Sequence, residues 1–160
     1  MTGLQTVERS DTISLAALTE EVFCDLDPVA DKHQIRLIQT EGDCTVTGSY
    51  ILLYRAVYNL VENAIKYNRP SGSVTVSIHT AESAVLEVTD TGIGISPENQ
   101  EKIFDPFYRV DKSRSRAMGG AGLGLALVSE IARQHNGQVK VTQSSEKGST
   151  IALMLPVTLL

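Results

Sequence analysis

Apolar residues recur along this chain with two periods, one typical of helices and the other typical of strands. Helical spacing predicts helices over about 15–32, 49–67 and 122–136. Alternation of apolar and polar residues predicts strands over about 34–40, 44–47, 73–80, 84–90, 138–144 and 150–156. This order predicts an α+β fold, a two-layer α/β sandwich in which about three helices cover one face of a mixed sheet of about five strands.

The ends of these segments carry residues that begin and end helices. Ser14 is the predicted N-cap of the first helix, and Pro28 would kink or split that helix. Asn136-Gly137 is a typical stop for the last helix. Between about 90 and 122 the pattern is lost, apart from a short helix predicted near 97–103. An irregular segment of this length in a compact domain is usually functional.

Charge and composition exclude several functions. The chain has 160 residues, a net charge of −5 and a pI of about 5.2, which disfavours nucleic-acid binding through a basic face. No apolar run approaches the roughly 20 residues of a membrane span, so we expect no membrane contact from this segment. Cys24 and Cys44 lack metal-ligand spacing and are interpreted as free thiols in a reducing cytosol.

A glycine-rich stretch, Gly119-Gly120-Ala121-Gly122-Leu123-Gly124-Leu125, directly precedes the last predicted helix. Glycine lets a ligand approach the backbone without meeting a Cβ. The N-terminus of a helix presents unpaired N–H groups and the positive end of its dipole. The stretch is therefore a candidate phosphate site, although plain turn chemistry is the more common meaning of such a loop.

A polar stripe runs along the second predicted helix. Asn59 and Asn63 are four residues apart and so lie one turn apart on one face, and Lys66 and Tyr67 continue the line. An amide oxygen is a good ligand for Mg²⁺, and a lysine one turn further on can neutralise a phosphate. A solvated face explains either asparagine alone, but the pair together with the lysine favours a site for Mg²⁺ and phosphate.

Two further stretches contain candidate ligand-binding residues. Residues 90–95 follow a predicted strand, where Asp90 can accept a hydrogen bond from a flat, amine-bearing ring and the neighbouring glycines leave room for the ring. An ordinary turn is the alternative. Beyond them lie aromatic and basic residues, namely Phe104, Phe107, Tyr108, Arg109, Lys112, Arg114 and Arg116. The basic run is either a solvated loop or a lid that faces phosphate.

Together these stretches resemble the four sequence boxes of bacterial sensor histidine kinases, in that family's order and spacing. Residues 59–67 resemble the N box, 90–95 the G1 box, 104–107 the F box and 119–125 the G2 box. The end of the chain, from Gly148 to Ile151 and then Leu155-Pro156, is similar to the family's closing hairpin. The resemblance implies a Bergerat-type ATP-binding fold, shared with gyrase, chaperone and mismatch-repair ATPases, with ATP and Mg²⁺ as cofactors.

The resemblance also implies a role for each site residue. Asn63 would bind Mg²⁺ with Asn59 assisting, and Asp90 would accept from the adenine amine. The other adenine-binding residues would be Gly92, Gly94, Ile95 and Ser149, the last of which would hold a water beside the adenine. The ATP- and phosphate-binding residues would be Asn59, Asn63, Lys66, Tyr67, Tyr108, Arg109, Lys112, Arg114, Gly120, Gly122, Leu123 and Gly124. Ala121 departs from the family pattern, because a hydroxyl residue is frequent there.

Two alternative functions remain open. An ATPase or protein serine kinase of the same superfamily generally carries a glutamate base one turn before the metal-binding asparagine, where this chain has Asn59. An amide cannot act as that base, and Glu62, adjacent to Asn63, points about 100° away. The other alternative is a module that binds nucleotide and does not transfer phosphate.

The three histidines determine what we expect of this chain by itself. None of His33, His79 and His135 is followed by the acidic residue and the Thr/Ser-Pro pair of an acceptor histidine. We expect 1–11 to be a lead-in from a removed dimerisation region and 12–160 to be a monomeric catalytic ATP-binding domain. It would donate the γ-phosphoryl group to a histidine on the dimerisation domain of the same parent, and a response regulator receiver domain would be the indirect partner. The family implies a cytoplasmic location, as the cytosolic part of a membrane-bound sensor kinase.

Overall fold

A computed structural model describes residues 11–106 and 124–157, which form seven strands and three α-helices. In chain order these elements are β1 (Asp11–Ser14), α1 (Leu15–Lys32), β2 (Arg36–Gln39), β3 (Thr45–Gly48), α2 (Tyr50–Lys66), β4 (Ser73–Thr80), β5 (Ala84–Asp90), α3 (Gly124–Gln134), β6 (Gln138–Ser145) and β7 (Gly148–Leu155). Two 3-10 helices, Pro97–Asn99 and Lys102–Phe104, lie between β5 and α3.

Five of the described strands form one mixed sheet in the order β2-β4-β5-β7-β6. β2 and β4 are parallel, and the other neighbours are antiparallel. The alternation over 73–80 and 84–90 does form the predicted hairpin, in which Val74 pairs with Asp90 and Thr80 pairs with Ala84. This confirms the predicted mixed sheet of about five strands.

The three helices cover one face of this sheet, as predicted. Along β4 the alternate residues Val74, Val76 and Ile78 are buried, whereas the residues between them are partly exposed. The helical stripes pack onto that face and complete one apolar core, which includes Leu18, Val22, Leu53, Leu60, Val128 and Ile131. Removing apolar surface from water at about 25 cal/mol per Å² is the main force that holds the two layers together.

Three local features differ from the sequence predictions. α1 is one continuous helix, because the apolar stripe through Leu26 and Ala30 continues past the exposed Pro28. The helix predicted near 97–103 is two 3-10 turns. β1 was not predicted as a strand; it pairs antiparallel with β3 in a separate two-stranded sheet. Ser14 is the N-cap of α1, as predicted, and its side chain accepts from the backbone N–H of Ala17 at 3.2 Å.

α3 runs antiparallel to α2 and contacts it both at its start and directly after its end. Gly124, at the start of α3, lies beside Asn59 in the middle of α2. At the other end, the backbone N–H of Ser49 donates to His135 Nε2 at 3.1 Å. Ser49 is also the N-cap of α2. α2, the helix of the polar stripe, therefore lies between α1 and α3 in the helical layer that covers the sheet.

Candidate nucleotide site

Asp90 lies at the end of β5, the middle strand of the five-stranded sheet. Its partners across the sheet are Val74 of β4 and Ser149 of β7. Asp90 Oδ1 accepts hydrogen bonds from the backbone N–H of Gly92 at 2.9 Å and of Ser149 at 3.2 Å. Asp90 Oδ2 accepts from Ser149 Oγ at 3.0 Å. Neighbours on two sides thus fix the orientation of this carboxylate.

The electrostatic surroundings of Asp90 suit a neutral hydrogen-bond donor. Burial raises the pKa of Asp90 above its ordinary value, and the hydrogen bonds from Gly92 and Ser149 act in the opposite direction. No lysine or arginine within 11–106 or 124–157 forms an ion pair with it. A partly buried acceptor without such a cation can take a further hydrogen bond from the amine of a flat ring.

Gly92 and Gly94 bring the loop after β5 into contact with two other parts of the fold. A Cβ at Gly92 would lie 2.5 Å from the backbone oxygen of Tyr67, directly after α2. Gly94 has a φ of +80°, and a Cβ there would lie 2.0 Å from the backbone oxygen of Ser145. The loop therefore lies between the C-terminal end of α2 and the β6–β7 hairpin, and no larger residue fits at either glycine.

Ile95, the next predicted adenine residue, continues this loop. Its backbone N–H donates to Ser144 Oγ at 2.7 Å, and its backbone oxygen accepts from Gln100 Nε2 at 2.9 Å. The side chain of Ile95 is partly buried against the core. The structure thus brings Asp90, Gly92, Gly94, Ile95 and Ser149 together around the end of β5.

The two asparagines of the polar stripe lie on α2, and both are half-buried. Asn59 Nδ2 donates to the backbone oxygen of Arg55 at 2.9 Å. Asn59 Oδ1 lies 3.3 Å from the position that a Cβ at Gly124 would take. The amide of Asn63 makes no hydrogen bond with any residue in the described ranges. Within those ranges, no residue would compete with a bound ligand for the amide of Asn63.

These amides fit an Mg²⁺ ion that is bound jointly with phosphate. The described ranges contain no group of three or more histidine, cysteine, aspartate or glutamate side chains that could hold a metal by themselves. Mg²⁺ takes oxygen ligands and usually keeps waters and substrate phosphate oxygens alongside one or two protein ligands. The amide oxygen of Asn63 can be such a ligand, with Asn59 one turn away.

Lys66 and Tyr67 follow the asparagines at the C-terminal end of α2. Lys66 Nζ lies 3.7 Å from Glu62 Oε2, and both side chains are more than a quarter exposed, at 27% and 28%. Tyr67 is the C-cap residue, and its backbone N–H donates to the backbone oxygen of Asn63 at 3.1 Å. A phosphate near Lys66 would therefore compete with Glu62 for the ammonium group.

Sequence reasoning missed two residues that connect these parts. Thr91 Oγ1 donates to Asn68 Oδ1 at 2.8 Å, so the loop after β5 is bonded directly to the residue that follows Tyr67. Asn68 is buried, with 8% of its surface exposed. Both residue types are common in turns, so neither would be selected by its chemistry. The only signal in the sequence is their position, directly after the N-box stretch and directly after Asp90.

Seven of the predicted site residues lie outside the described ranges. They are Tyr108, Arg109, Lys112, Arg114, Gly120, Gly122 and Leu123. Phe107 of the F-box stretch lies outside as well. Phe104 is partly buried and packs against the core, next to the buried Ile103.

The three histidines lie in different surroundings. His135 is buried; its Nδ1 lies 2.8 Å from the backbone oxygen of Ile131, and its Nε2 accepts from Ser49. These bonds require the neutral tautomer with the proton on Nδ1. His79 is exposed on β4 with Nδ1 3.8 Å from Glu87 Oε1, and His33 is the C-cap of α1.

Comparison with known proteins identifies the family. Residues 48–159 match the family model described as histidine kinase-, DNA gyrase B- and HSP90-like ATPase. The sensor-like histidine kinase SenX3 of Mycobacterium tuberculosis strain H37Rv is 38% identical over 96% of this chain, which spans 38% of the length of SenX3. The sensor histidine kinase RppB of Synechocystis is 43% identical over 88% of this chain, which spans 31% of the length of RppB.

Solved structures agree with the fold. The mycobacterial sensor histidine kinase MprB has a TM-score of 0.78 and 28% identity, covering 94% of this chain and 99% of its own. Full-length ShkA in complex with AMPPNP has a TM-score of 0.84 and 24% identity, covering 97% of this chain and 33% of its own. In the described ranges no helix is long and apolar enough to cross a membrane.

Proposed function

Because this chain belongs to the family of histidine kinase-, DNA gyrase B- and HSP90-like ATPases, we propose that it binds Mg-ATP and donates the γ-phosphoryl group to a histidine on another domain. One observation carries the proposal. The C-terminal end of α2 touches the loop after β5, where Tyr67 O meets Gly92. The amide pair of α2 and the carboxylate of Asp90 therefore border one site, as adenine and phosphates of one nucleotide require.

Each described residue has a role in this proposal. Asp90 accepts from the adenine amine, Gly92, Gly94 and Ile95 form the wall beside the ring, and Ser149 holds a water next to it. Asn63 binds Mg²⁺ with the help of Asn59, and Lys66, Tyr67 and Gly124 lie near the sugar and phosphates. When bound, Mg²⁺ neutralises charge on the phosphates, which is the main requirement of phosphoryl transfer.

The remaining nucleotide contacts are proposed for residues outside the described ranges. Gly120, Gly122 and Leu123 would line the phosphates together with Gly124. The lid would supply Tyr108, Arg109, Lys112 and Arg114. Guanidinium and ammonium groups form charge-assisted hydrogen bonds with phosphate oxygens, which is the chemistry such a lid requires.

Two features of α2 disfavour hydrolysis of ATP by water. Asn59 stands where a base would be needed, and an amide cannot take a proton. Glu62, the nearest carboxylate along the helix, is paired with Lys66. We therefore propose transfer to histidine, and not hydrolysis or transfer to serine. A nucleotide-binding module without transfer remains the alternative that the experiment below separates.

The partners follow from the relatives, which are named sensor histidine kinases. We propose that the acceptor histidine lies on a dimerisation domain of the same parent protein, and that a response regulator receiver domain takes the phosphoryl group from it. The parent would be a membrane-bound sensor with this domain in the cytoplasm. The buried, hydrogen-bonded His135 supports an acceptor on another domain, because its ring nitrogens are both engaged.

Incubation with γ-labelled ATP tests this function. The chain alone should bind ATP, measured by calorimetry, and should remain unlabelled. Addition of a dimerisation domain from a related sensor kinase should give acid-labile label on that domain only. If the chain binds ATP but labels none of several such domains, it is better described as a nucleotide-binding module that does not transfer phosphate. Acid-labile label on the chain alone would overturn the assignment of its histidines.

A further inference from the structure

A hydrogen-bond network around the buried Asn68 joins the C-terminal end of α2 to the start of β4 and to the loop after β5. We call it the Asn68–Thr91 network, and it consists of Asn68, Ser73 and Thr91. Asn68 Nδ2 donates to the backbone oxygen of Ser73 at 2.8 Å. The backbone N–H of Ser73 donates to Thr91 Oγ1 at 2.9 Å, and Thr91 Oγ1 donates to Asn68 Oδ1 at 2.8 Å.

This network leaves little freedom to its members. Asn68 Oδ1 also accepts from the backbone N–H of Arg69 at 2.8 Å, so both ends of the amide are engaged. A Cβ at Gly72 would lie 2.4 Å from both Asn68 Oδ1 and Thr91 Oγ1. The backbone thus passes directly over the two side chains. A turn residue that served only its own turn would not need a partner 23 positions away.

The position of Thr91 connects the network to Asp90. Thr91 stands between Asp90 and Gly92 in the chain, and the backbone N–H of Gly92 donates to Asp90 Oδ1 at 2.9 Å. Fixing the hydroxyl of Thr91 therefore fixes the peptide that holds the carboxylate. Ser149 holds the same carboxylate from the other side. Without the network, Ser149 would be the main remaining constraint on its orientation.

We propose that Thr91 and Asn68 are positioning residues for recognition of the base, acting through the peptide of Gly92 on the carboxylate of Asp90. This rests on the proposed function, in which Asp90 accepts from the adenine amine. Neither Thr91 nor Asn68 touches the nucleotide. Their contribution is the orientation of one acceptor, and the affinity for the adenine end depends on them more than the affinity for the Mg²⁺-phosphate end.

The test compares two threonines of the same segment. Thr91→Val removes the hydroxyl of the network and keeps the shape of the side chain. Thr89→Val is the matched control, because the Thr89 hydroxyl lies 2.9 Å from Thr150 Oγ1 on the sheet and has no link to Asn68. Thr91→Ser keeps the hydroxyl. Adenosine affinity, Mg-ATP affinity and thermal stability are measured for each variant.

Thr91→Val should lower adenosine affinity about tenfold, which is the effect of weakening one hydrogen bond to a charged acceptor. Thr91→Ser and Thr89→Val should remain within about twofold of the native chain, since neither breaks the network. The ratio of ATP affinities with and without Mg²⁺ should not change in Thr91→Val. Unchanged adenosine affinity in a folded Thr91→Val variant would overturn the proposal.

Measuring Thr91→Val in the Asp90→Asn chain tests whether Thr91 acts through Asp90. If Thr91 acts through Asp90, Thr91→Val should cost no further adenosine affinity in an Asp90→Asn chain. A full tenfold loss in that background would mean that the network acts by another route, and would also overturn the proposal. Should Thr91→Val not fold, Asn68→Asp keeps the acceptor for Thr91, replaces the donor to Ser73 by a carboxylate oxygen and adds a negative charge, so uncharged adenosine is the ligand measured. It should lower adenosine affinity about threefold, and unchanged affinity would be contrary to the proposal.

The outcomes also distinguish this proposal from the proposed function. If the native chain does not bind ATP, the proposed function is wrong. If the native chain binds ATP through Asp90 and the Thr91→Val variant binds adenosine equally well, only the proposed role of the network is wrong.

Discussion

The two ends of the candidate nucleotide site are held in different ways. At the adenine end, the carboxylate of Asp90 receives hydrogen bonds from Gly92 in the loop after β5 and from Ser149 in β7. At the metal end, Asn59 and Asn63 lie on a single helix. Among the described residues, the side-chain amide of Asn59 is bonded only to the preceding turn, and the side-chain amide of Asn63 has no hydrogen-bond partner.

This difference suggests that the adenine end selects the base and that the metal end neutralises the charge of the phosphates. An acceptor that is already oriented loses little entropy when a ligand binds, so it can distinguish one base from another. Amide oxygens on a helix face have no such constraint and need the metal and the phosphates to complete their surroundings. We therefore expect mutations at the adenine end to change which nucleotide binds, and mutations at the metal end to change how Mg²⁺ affects binding.

The largest effect should come from Asp90→Asn. The amide can present a donor where the adenine amine needs an acceptor, and a hydrogen bond to a charged group contributes about 2 kcal/mol, or about 30-fold in affinity. ATP and adenosine should lose this affinity in calorimetry, whereas GTP should change much less. Glu87→Gln, on the same strand and paired with His79, is the control. Equal losses for ATP and GTP would exclude the role of Asp90.

Asp90 should also influence the pH dependence of stability. Its pKa is raised in the folded state by burial, so the native state holds a proton more tightly than the unfolded state does. The contribution of Asp90 to the free energy of unfolding should therefore be largest below the ordinary pKa of 3.8 and should fall as pH rises through the raised pKa. Denaturation in urea at several pH values should show this decrease in the native chain and not in Asp90→Asn.

The next largest effect should come from Asn63→Ala. Loss of the metal ligand should abolish the gain in ATP affinity that Mg²⁺ provides, about tenfold, and leave adenosine affinity unchanged. Because the side-chain amide of Asn63 has no hydrogen-bond partner in the described ranges, the free domain should be slightly more stable, by about 0.5 kcal/mol from helix propensity. Asn59→Ala should show a smaller loss. Mg-ATP affinity equal to that of the native chain would exclude Asn63 as the ligand.

A pair of glycine substitutions compares the packing of the two ends. A Cβ at Gly92 would lie 2.5 Å from the backbone oxygen of Tyr67, whereas at Gly124 it would lie 3.3 Å from a side-chain atom of Asn59 that can move. Gly92→Ala should cost about 1–3 kcal/mol in urea denaturation, and Gly124→Ala should cost nothing or stabilise α3. Equal stability of the two variants would mean that the adenine loop is not held as tightly as described.

The sequence predicted elements well where periodicity was strong. The bounds of α1 and α2 and of the β4–β5 hairpin differ from the predictions by no more than a residue or two, because buried apolar stripes determine them. β1 could not be predicted, since Asp11–Ser14 is a strand only through its pairing with β3. Whether a short irregular segment forms 3-10 turns depends on what it packs against, and Ile103 is the buried residue there.

The candidate site was predicted as a list of residues, and its connections were not. Asp90, Gly92 and Asn63 could be selected because their types and spacing match nucleotide chemistry. The network of Asn68 with Thr91 could not, because the two residues are 23 positions apart and each is common in turns. The link of His135 to Ser49 likewise spans 86 positions. Contacts of this kind depend on how the helices pack onto the sheet, which periodicity does not specify.

The smallest effect should come from Glu62→Gln, which breaks the ion pair between Glu62 and Lys66 at the metal end. Glu62 Oε2 lies 3.7 Å from Lys66 Nζ, one turn along α2. Such a pair contributes about 0.3–0.5 kcal/mol in water, so its loss should hardly lower stability.

Release of Lys66 should instead favour a phosphate, because the ammonium group no longer shares its charge with a carboxylate. ATP and ADP affinity should rise up to threefold at low salt and return to the native value at about 0.5 M salt, where charges are screened over a few ångströms. Adenosine, which has no phosphate, should not respond. Glu130→Gln is the matched control, since Glu130 pairs with Arg133 on the exposed face of α3. A fall in ATP affinity in Glu62→Gln would show that Glu62 itself serves the nucleotide, and the assignment of Lys66 to the phosphates would then have to be abandoned.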